Sequence, residues 1–161
     1  MGCAPPISAY VPGRTARHPE DAFAAIRDTV TAGMSIADIA ASEAWRIGWT
    51  LFENGFFWEA HEVWEPVWMH LPPNSAERRF VQACIQLSNA ALKERMERPQ
   101  AALRLYDLTV ELLGACQTEA RIMGVDVADL TRRAKKAKRR LTTTAIYCTD
   151  EYHGFCSNGT I

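Results

Sequence analysis

Apolar residues recur every three to four positions through most of this chain of 161 residues, and no useful stretch alternates apolar with polar residues. That spacing is typical of amphipathic α-helices, whereas half-buried β-strands have a period of two. In the segment 35–54 the helical spacing is carried by Ile36, Ile39, Ala40, Ala44, Ile47 and Leu51. The pattern predicts an all-α fold, a single irregular bundle of about five or six helices.

Proline, glycine and helix periodicity divide the chain into three parts. Residues 1–18 are rich in proline and predict an extended N-terminal arm. Residues 19–141 predict one helical bundle domain, which is long enough to bury a sizeable core. Residues 142–161 lack a clear helical pattern and predict a flexible C-terminal tail.

Turn and capping signals set the expected helix boundaries. Asn74 with Glu77 resembles a capping box for the fourth helix. The fifth helix is expected to end near Gly114 or, if it continues past that residue, at Gly124 as a C-terminal cap. Asp126 is expected to cap the start of the last helix. The short turn between the third and fourth helices makes them antiparallel neighbours. The expected helices are 19–30, 35–54, 56–70, 75–98, 99–113 and 126–141.

Composition excludes several classes of protein. Apolar residues make up 48% and charged residues 23% of the chain, and the net charge is −1, so no overall field favours nucleic acid or a membrane. No apolar run approaches the length of about 20 residues that spans a bilayer, and the N-terminus does not resemble a secretory signal. The five cysteines are scattered and odd in number, which indicates a reducing, cytoplasmic compartment. Cys84 and Cys116 fall in helical patterns and are expected in the core.

The segment 52–68 places titratable residues beside aromatic ones on one predicted helix. His61, Glu65 and Trp68 are spaced i, i+4 and i+7, and at about 100° per residue they lie within an arc of about 60°. We expect this arc to face the core, where titratable groups are rarely buried without a partner. His61 and Glu65 are therefore the candidate functional residues.

Three interpretations of this pair remain open. In a metal version, His61 and Glu65 coordinate a divalent metal ion, with Glu62 as a third ligand or as a group bonded to a ligand. In a metal-free version, Glu65 orients and polarises His61, which serves as a catalytic general base. In a structural version, the two residues form a buried pair that fixes packing.

Neighbouring side chains supply candidate ligand contacts. Gln82 and Gln86 lie on the predicted fourth helix, and the amide of Gln86 is suited to orient the imidazole or to bind a substrate. Trp64 and Trp68 are candidate aromatic walls of a ligand pocket, although filling a core is the more common role of tryptophan. Asn89 continues the polar stripe of the glutamines and is expected to be solvated.

Two further clusters are candidates for binding a ligand or partner. Seven of the nine residues from Arg132 to Arg140 are basic. They lie at the C-terminal end of a predicted helix, where cations favour the helix dipole, so a solvated basic helix is preferred over a nucleic-acid contact. Cys148, His153 and Cys156 are of the soft metal-ligand type, but without a Cys-x-x-Cys pair a mobile tail is the preferred interpretation.

Two motifs resemble a known family. The first is Phe-x-Asn-Gly-x-Phe-x-Glu-Ala-His-Glu-x-x-Glu-x-x-Trp at 52–68, and the second is Phe-x-Gln-x-x-Ile-Gln-Leu at 80–87. Together they resemble the bacterial and archaeal domain-of-unknown-function family 309, over roughly residues 43–113. The resemblance implies a compact α-helical fold and a metal-binding role for the His-x-x-x-Glu-x-x-Trp motif. It implies no particular reaction.

The lead hypothesis is therefore a small helical protein whose partly buried His-Glu-Trp site binds a divalent metal ion or a small ligand, with catalysis left open. The alternative is a protein- or RNA-interaction module in which His61 and Glu65 are structural. The charge disfavours nucleic acid, and no membrane partner is expected. The sequence does not indicate the oligomeric state.

Overall fold

The computed structural model describes residues 8–153, with side chains as far as Thr144. Within this range, five helices of 11 to 27 residues build the bundle, and the two strands have only two residues each. The all-α class is therefore confirmed. The elements are α1 (Ala24–Arg27), α2 (Ile36–Ala40), α3 (Glu43–Glu53), α4 (Phe57–His70), α5 (Ala76–Arg95), α6 (Pro99–Gly114), β1 (Arg121–Ile122), β2 (Val125–Asp126) and α7 (Val127–His153).

The long helices pack mainly in sequence order, α3 on α4, α4 on α5, α5 on α6 and α6 on α7. Hydrogen bonds fix α4 and α5 as the expected antiparallel pair. The Ser88 hydroxyl donates to the carbonyl of Phe57 at the start of α4, at 2.7 Å. Arg78 donates to the carbonyl of Leu71, which follows the end of α4, at 2.9 Å. The start of α5 therefore lies beside the end of α4, and the start of α4 lies beside the second half of α5.

Two expected helices are shorter than predicted. The first, predicted over 19–30, is reduced to α1. The second, predicted over 35–54, is interrupted at Ser42, whose backbone is extended and whose side chain accepts the Trp45 N–H at 3.2 Å. A hydroxyl that caps a new helix start competes with continuation of the preceding helix, which explains the break between α2 and α3.

The segment after α6 forms a hairpin, which the sequence did not predict. α6 ends at Gly114, and β1 pairs with β2 in antiparallel register. Met123 and Gly124 make the turn with φ of 48° and 82°. Gly124 is therefore a hairpin glycine and not a helix cap, and its freedom at positive φ suits that position. The Trp45 indole donates to the Met123 carbonyl at 3.0 Å and ties the hairpin to α3.

The boundaries of α5 and α7 also correct the prediction. Ser75, not Asn74, caps α5 by accepting the Arg78 N–H at 3.0 Å. Asp126 caps α7 as expected, since it accepts the Asp129 N–H at 2.7 Å. α7 continues to His153, so the predicted tail 142–161 begins inside this helix. The candidate ligand set Cys148, His153 and Cys156 lies outside the side chains that the structure describes.

The centre of the bundle is an aromatic cluster around Trp64, whose side chain is 0% exposed. Trp45, Trp49 and Phe52 of α3 surround it at ring-centroid distances of 5.8, 5.0 and 5.9 Å. Gly48 lies on the same face of α3, and a Cβ there would come under 3.0 Å from three atoms of the Trp64 ring. The absence of a Cβ atom at Gly48 therefore allows α3 and α4 to approach closely.

Cys84 and Cys116 are buried, as expected for small core residues. Burial raises the pKa of both thiols, and at Cys84 the neighbouring Cys116 raises it further. A thiol with a raised pKa is a poor nucleophile, so these cysteines have a packing role. None of the described helices is both long and apolar enough to cross a membrane.

Candidate functional site

The buried face of α4 lies beside the predicted arc and does not coincide with it. Ala60, Val63, Trp64 and Val67 are each 0% exposed and follow the i, i+3, i+4, i+7 spacing of a core stripe. The centre of this stripe is about 120° from the direction of His61, Glu65 and Trp68. Glu65 is accordingly exposed, while His61 and Trp68 are half-buried. The prediction that His61 and Glu65 form a core-facing pair is therefore wrong.

His61 is oriented from α5 and not from its own helix. Its Nδ1 atom lies 2.8 Å from Oδ1 of Asn89, across the antiparallel α4–α5 interface. An amide oxygen accepts, so Nδ1 of His61 donates the proton in this contact. Asn89, predicted to be solvated, takes the orienting role that the sequence had assigned to Glu65.

We expect Asn89→Ala to release the imidazole of His61. Without the amide acceptor, the Nδ1–H tautomer loses its specific partner, and stability should fall by about 1 kcal/mol. Ring ¹⁵N chemical shifts of His61 measure the tautomer, and urea denaturation measures the stability. Gln86→Ala, one helical turn away on α5, is the matched control and should leave both unchanged. An unaltered His61 tautomer in Asn89→Ala would contradict this assignment.

The predicted metal ligands do not gather into a set. Glu62 lies 3.7 Å from Arg27 of α1, and Glu65 is exposed. Across the described side chains, no group of three or more His, Cys, Asp or Glu residues is close enough to share an ion. Zinc in proteins usually takes three or four protein ligands. Metal binding at His61, Glu65 and Glu62 thus remains a prediction from sequence.

A pocket of about 180 Å³ lies beside the start of α5, and we call it the α5 N-terminal pocket. It brings together Trp68 and Gln82, two of the candidate ligand contacts. Gln86 does not line it, and Trp64 is sealed in the core, out of reach of a ligand at the surface. The residues that line the pocket are Trp68, Asn74, Ser75, Arg78, Arg79, Gln82 and Leu112.

Hydrogen-bond donors and positive charge dominate this pocket. The Arg78 guanidinium stacks on the Trp68 ring, with its central carbon 4.5 Å from the ring centroid. Among the described residues, neither Arg78 nor Arg79 has a carboxylate partner. The indole N–H of Trp68 is buried and has no acceptor there either. The accessible donors of the pocket are therefore the two guanidinium groups, while the Trp68 ring forms part of its wall.

The one fully buried carboxylate of α4 is Glu59, which the sequence had not singled out. It is 0% exposed, and its Oε1 atom accepts the backbone N–H of Tyr10 at 2.6 Å and lies 2.7 Å from Nε2 of His18. Its Oε2 atom has no hydrogen-bond partner among the described residues. Tyr10 also packs edge-on against Trp58 at 5.1 Å. The described part of the arm, residues 8–18, is therefore docked on α4 through Glu59.

The basic run is largely engaged with the bundle. Four of its seven cations pair with carboxylates, and the partners belong to α3, α5, α6 and α7. The three pairs made with other helices tie α7 to the bundle, although exposed pairs contribute little individually. The pairs are Arg132–Asp129, Arg133–Glu53, Lys138–Asp107 and Arg140–Glu94. The interaction-module alternative stays a prediction.

Comparison with known proteins gives one match. Residues 45–105 match the model of a family described as a domain of unknown function, DUF309. The matched range contains all of α4 and α5, and so includes His61, Trp68 and Gln82. The resemblance noted from the sequence motifs is thereby confirmed. No curated protein and no solved structure matches the chain.

Proposed function

We propose that this chain, whose residues 45–105 match the DUF309 family model, binds a small oxyanion in the α5 N-terminal pocket. The observation that carries the proposal is that Arg78 and Arg79 line the pocket without a carboxylate partner among the described residues. Phosphate and carboxylate groups accept hydrogen bonds from guanidinium donors, often two at once.

The start of α5 adds to the attraction of the pocket for an anion. Ser75 accepts the Arg78 N–H, so the capping residue fixes the first turn of a helix of 20 residues. The positive end of the helix dipole then lies beside the two arginines. A volume of about 180 Å³ suits a compact anionic group more than a large cofactor. The ligand class is therefore a phosphate, or a small molecule with a carboxylate.

The indole signal of Trp68 provides a direct test. Inorganic phosphate and succinate are titrated separately into the ¹⁵N-labelled full chain at constant ionic strength, and Trp68→Phe assigns the indole peak. We expect a saturable shift of that peak with at least one of the two anions. Arg79→Gln should weaken binding by about tenfold or more, because a charged hydrogen bond contributes about 1.5–3 kcal/mol.

Arg104→Gln on the exposed side of α6 is the matched control. It removes the same charge outside the pocket and should leave the affinity unchanged. A peak that does not move with either anion up to millimolar concentrations would refute the proposal. Equal losses of affinity in Arg79→Gln and Arg104→Gln would reduce the effect to general electrostatics.

A further inference from the structure

A second cavity, of about 340 Å³, lies where the arm meets α1 and α4, and we call it the arm cavity. It shares no residue with the α5 N-terminal pocket. Its volume falls in the range of about 300–1,000 Å³ that is usual for small-molecule sites. The residues that line it are Arg17, His18, Pro19, Glu20, Arg27, Trp58 and Glu62.

Aromatic contacts fix one wall of the arm cavity. The Trp58 ring is held by Phe23 at 6.3 Å, by His18 at 6.1 Å and by the Arg17 guanidinium at 5.7 Å. Since Nε2 of His18 is held by the buried carboxylate of Glu59, the arm cannot shift without loss of that contact. The wall is therefore organised before a ligand arrives, which lowers the entropy cost of binding.

Charges of both signs line this wall. The arm contributes Arg17, the segment between the arm and α1 contributes Glu20, α1 contributes Arg27, and α4 contributes Glu62. Arg27 and Glu62 are 3.7 Å apart, a separation too long for a strong hydrogen bond. Among the described residues, Arg17 and Glu20 take part in no ion pair. A ligand with one positive and one negative group would complement this lining, whereas a simple anion would be repelled by the carboxylates of Glu20 and Glu62.

We propose that the arm cavity binds a small zwitterion of the α-amino acid class. The ligand carboxylate is received by Arg17 and Arg27, and its ammonium group by Glu20 and Glu62. Its side chain extends past Trp58, which forms one wall of the cavity. This site is independent of the oxyanion pocket, and its failure would leave that proposal intact.

The experiment compares three probes that differ only in charged groups. L-phenylalanine carries both charges, 3-phenylpropionate lacks the ammonium group, and 2-phenylethylamine lacks the carboxylate. Each is titrated into the full chain at pH 7 and constant ionic strength, with the Trp58 indole ¹⁵N–¹H signal as the readout. We expect saturation by L-phenylalanine, and affinities for the other two that are lower by about tenfold or more.

Paired variants locate the binding. Arg17→Gln should lower the affinity for L-phenylalanine by about tenfold. Arg14→Gln should not change it, because Arg14 pairs with Glu97 outside the cavity at 2.9 Å. Glu20→Gln should lower the affinity for L-phenylalanine to a similar extent, while Asp21→Asn, at the adjacent position, should leave it unchanged. Thermal melts followed by circular dichroism check that each variant is folded.

Two results would overturn the inference. One is no movement of the Trp58 signal with L-phenylalanine or with its smaller counterpart L-alanine. The other is equal affinity for L-phenylalanine and either single-charge analogue, which would show that recognition does not use both charges. In both cases the oxyanion experiment on the Trp68 signal stands or fails separately.

Discussion

Gly48→Ala is expected to lower the free energy of unfolding by about 2 kcal/mol or more. A Cβ at position 48 would come under 3.0 Å from Nε1, Cδ1 and Cε2 of Trp64. The Trp64 ring is fully buried among Trp45, Trp49 and Phe52, so it has no free space into which to move. Overpacking costs about 1–3 kcal/mol, occasionally more, and overlap with three ring atoms belongs at or above the upper end of that range, so about 2 kcal/mol or more remains after the gain of about 1 kcal/mol from replacing a helical glycine.

Urea denaturation of Gly48→Ala beside Gly114→Ala measures this effect. Gly114 is the last residue of α6, and an added Cβ there meets nothing within 4 Å, so that variant should be neutral or slightly stabilised. The double variant Gly48→Ala with Trp64→Phe should recover part of the clash energy of Gly48→Ala, because the smaller phenylalanine ring leaves room for the added Cβ. Equal stabilities of the two alanine variants would show that Gly48 is not a packing requirement.

Glu59→Ala is the second large effect, with an expected loss of about 3 kcal/mol. The substitution leaves the Tyr10 N–H and the His18 imidazole without their shared acceptor, and it opens a hole in the core. Removing one partner from a buried polar contact costs about 3–5 kcal/mol where a charge is left uncompensated, and less for neutral groups. The arm should then detach from α4, and the backbone amides of residues 8–18 should lose protection.

Hydrogen exchange of the arm and urea denaturation of the whole chain test the two parts of this prediction. Glu65→Ala is the matched control, since Glu65 lies on the same helix but is exposed. Its stability should change by no more than about 0.5 kcal/mol. An arm that stays protected in Glu59→Ala would mean that Tyr10 and Trp58 alone hold it in place.

The helical class, the antiparallel α4–α5 pair and the family all followed from local patterns. Periodicity alone determines which residues share a face, so the arc of His61, Glu65 and Trp68 was identified correctly. It does not determine which face is buried. Here the neighbouring stripe of Ala60, Val63 and Val67 is more apolar, and it is the face that packs into the core. Counting apolar residues on both faces of α4 would have distinguished them.

Other features depended on the tertiary fold and could not be predicted from the sequence. Asn89 meets His61 only because α4 and α5 are antiparallel with one particular register. Glu59 is buried because the arm covers it through Tyr10, 49 positions earlier in the chain, and nothing near residue 59 in the sequence indicates that contact. The hairpin at 121–126 depends on two-residue strands, which are too short to show a period.

The sequential packing of the long helices has a kinetic consequence. Contacts between neighbouring helices close short loops, and chains dominated by such contacts fold on microsecond to millisecond timescales. The α3–α4–α5 unit can therefore collapse before the ribosome has released α7. The Tyr10–Glu59 bond closes a much longer loop, so the arm should join an assembled bundle as a late step.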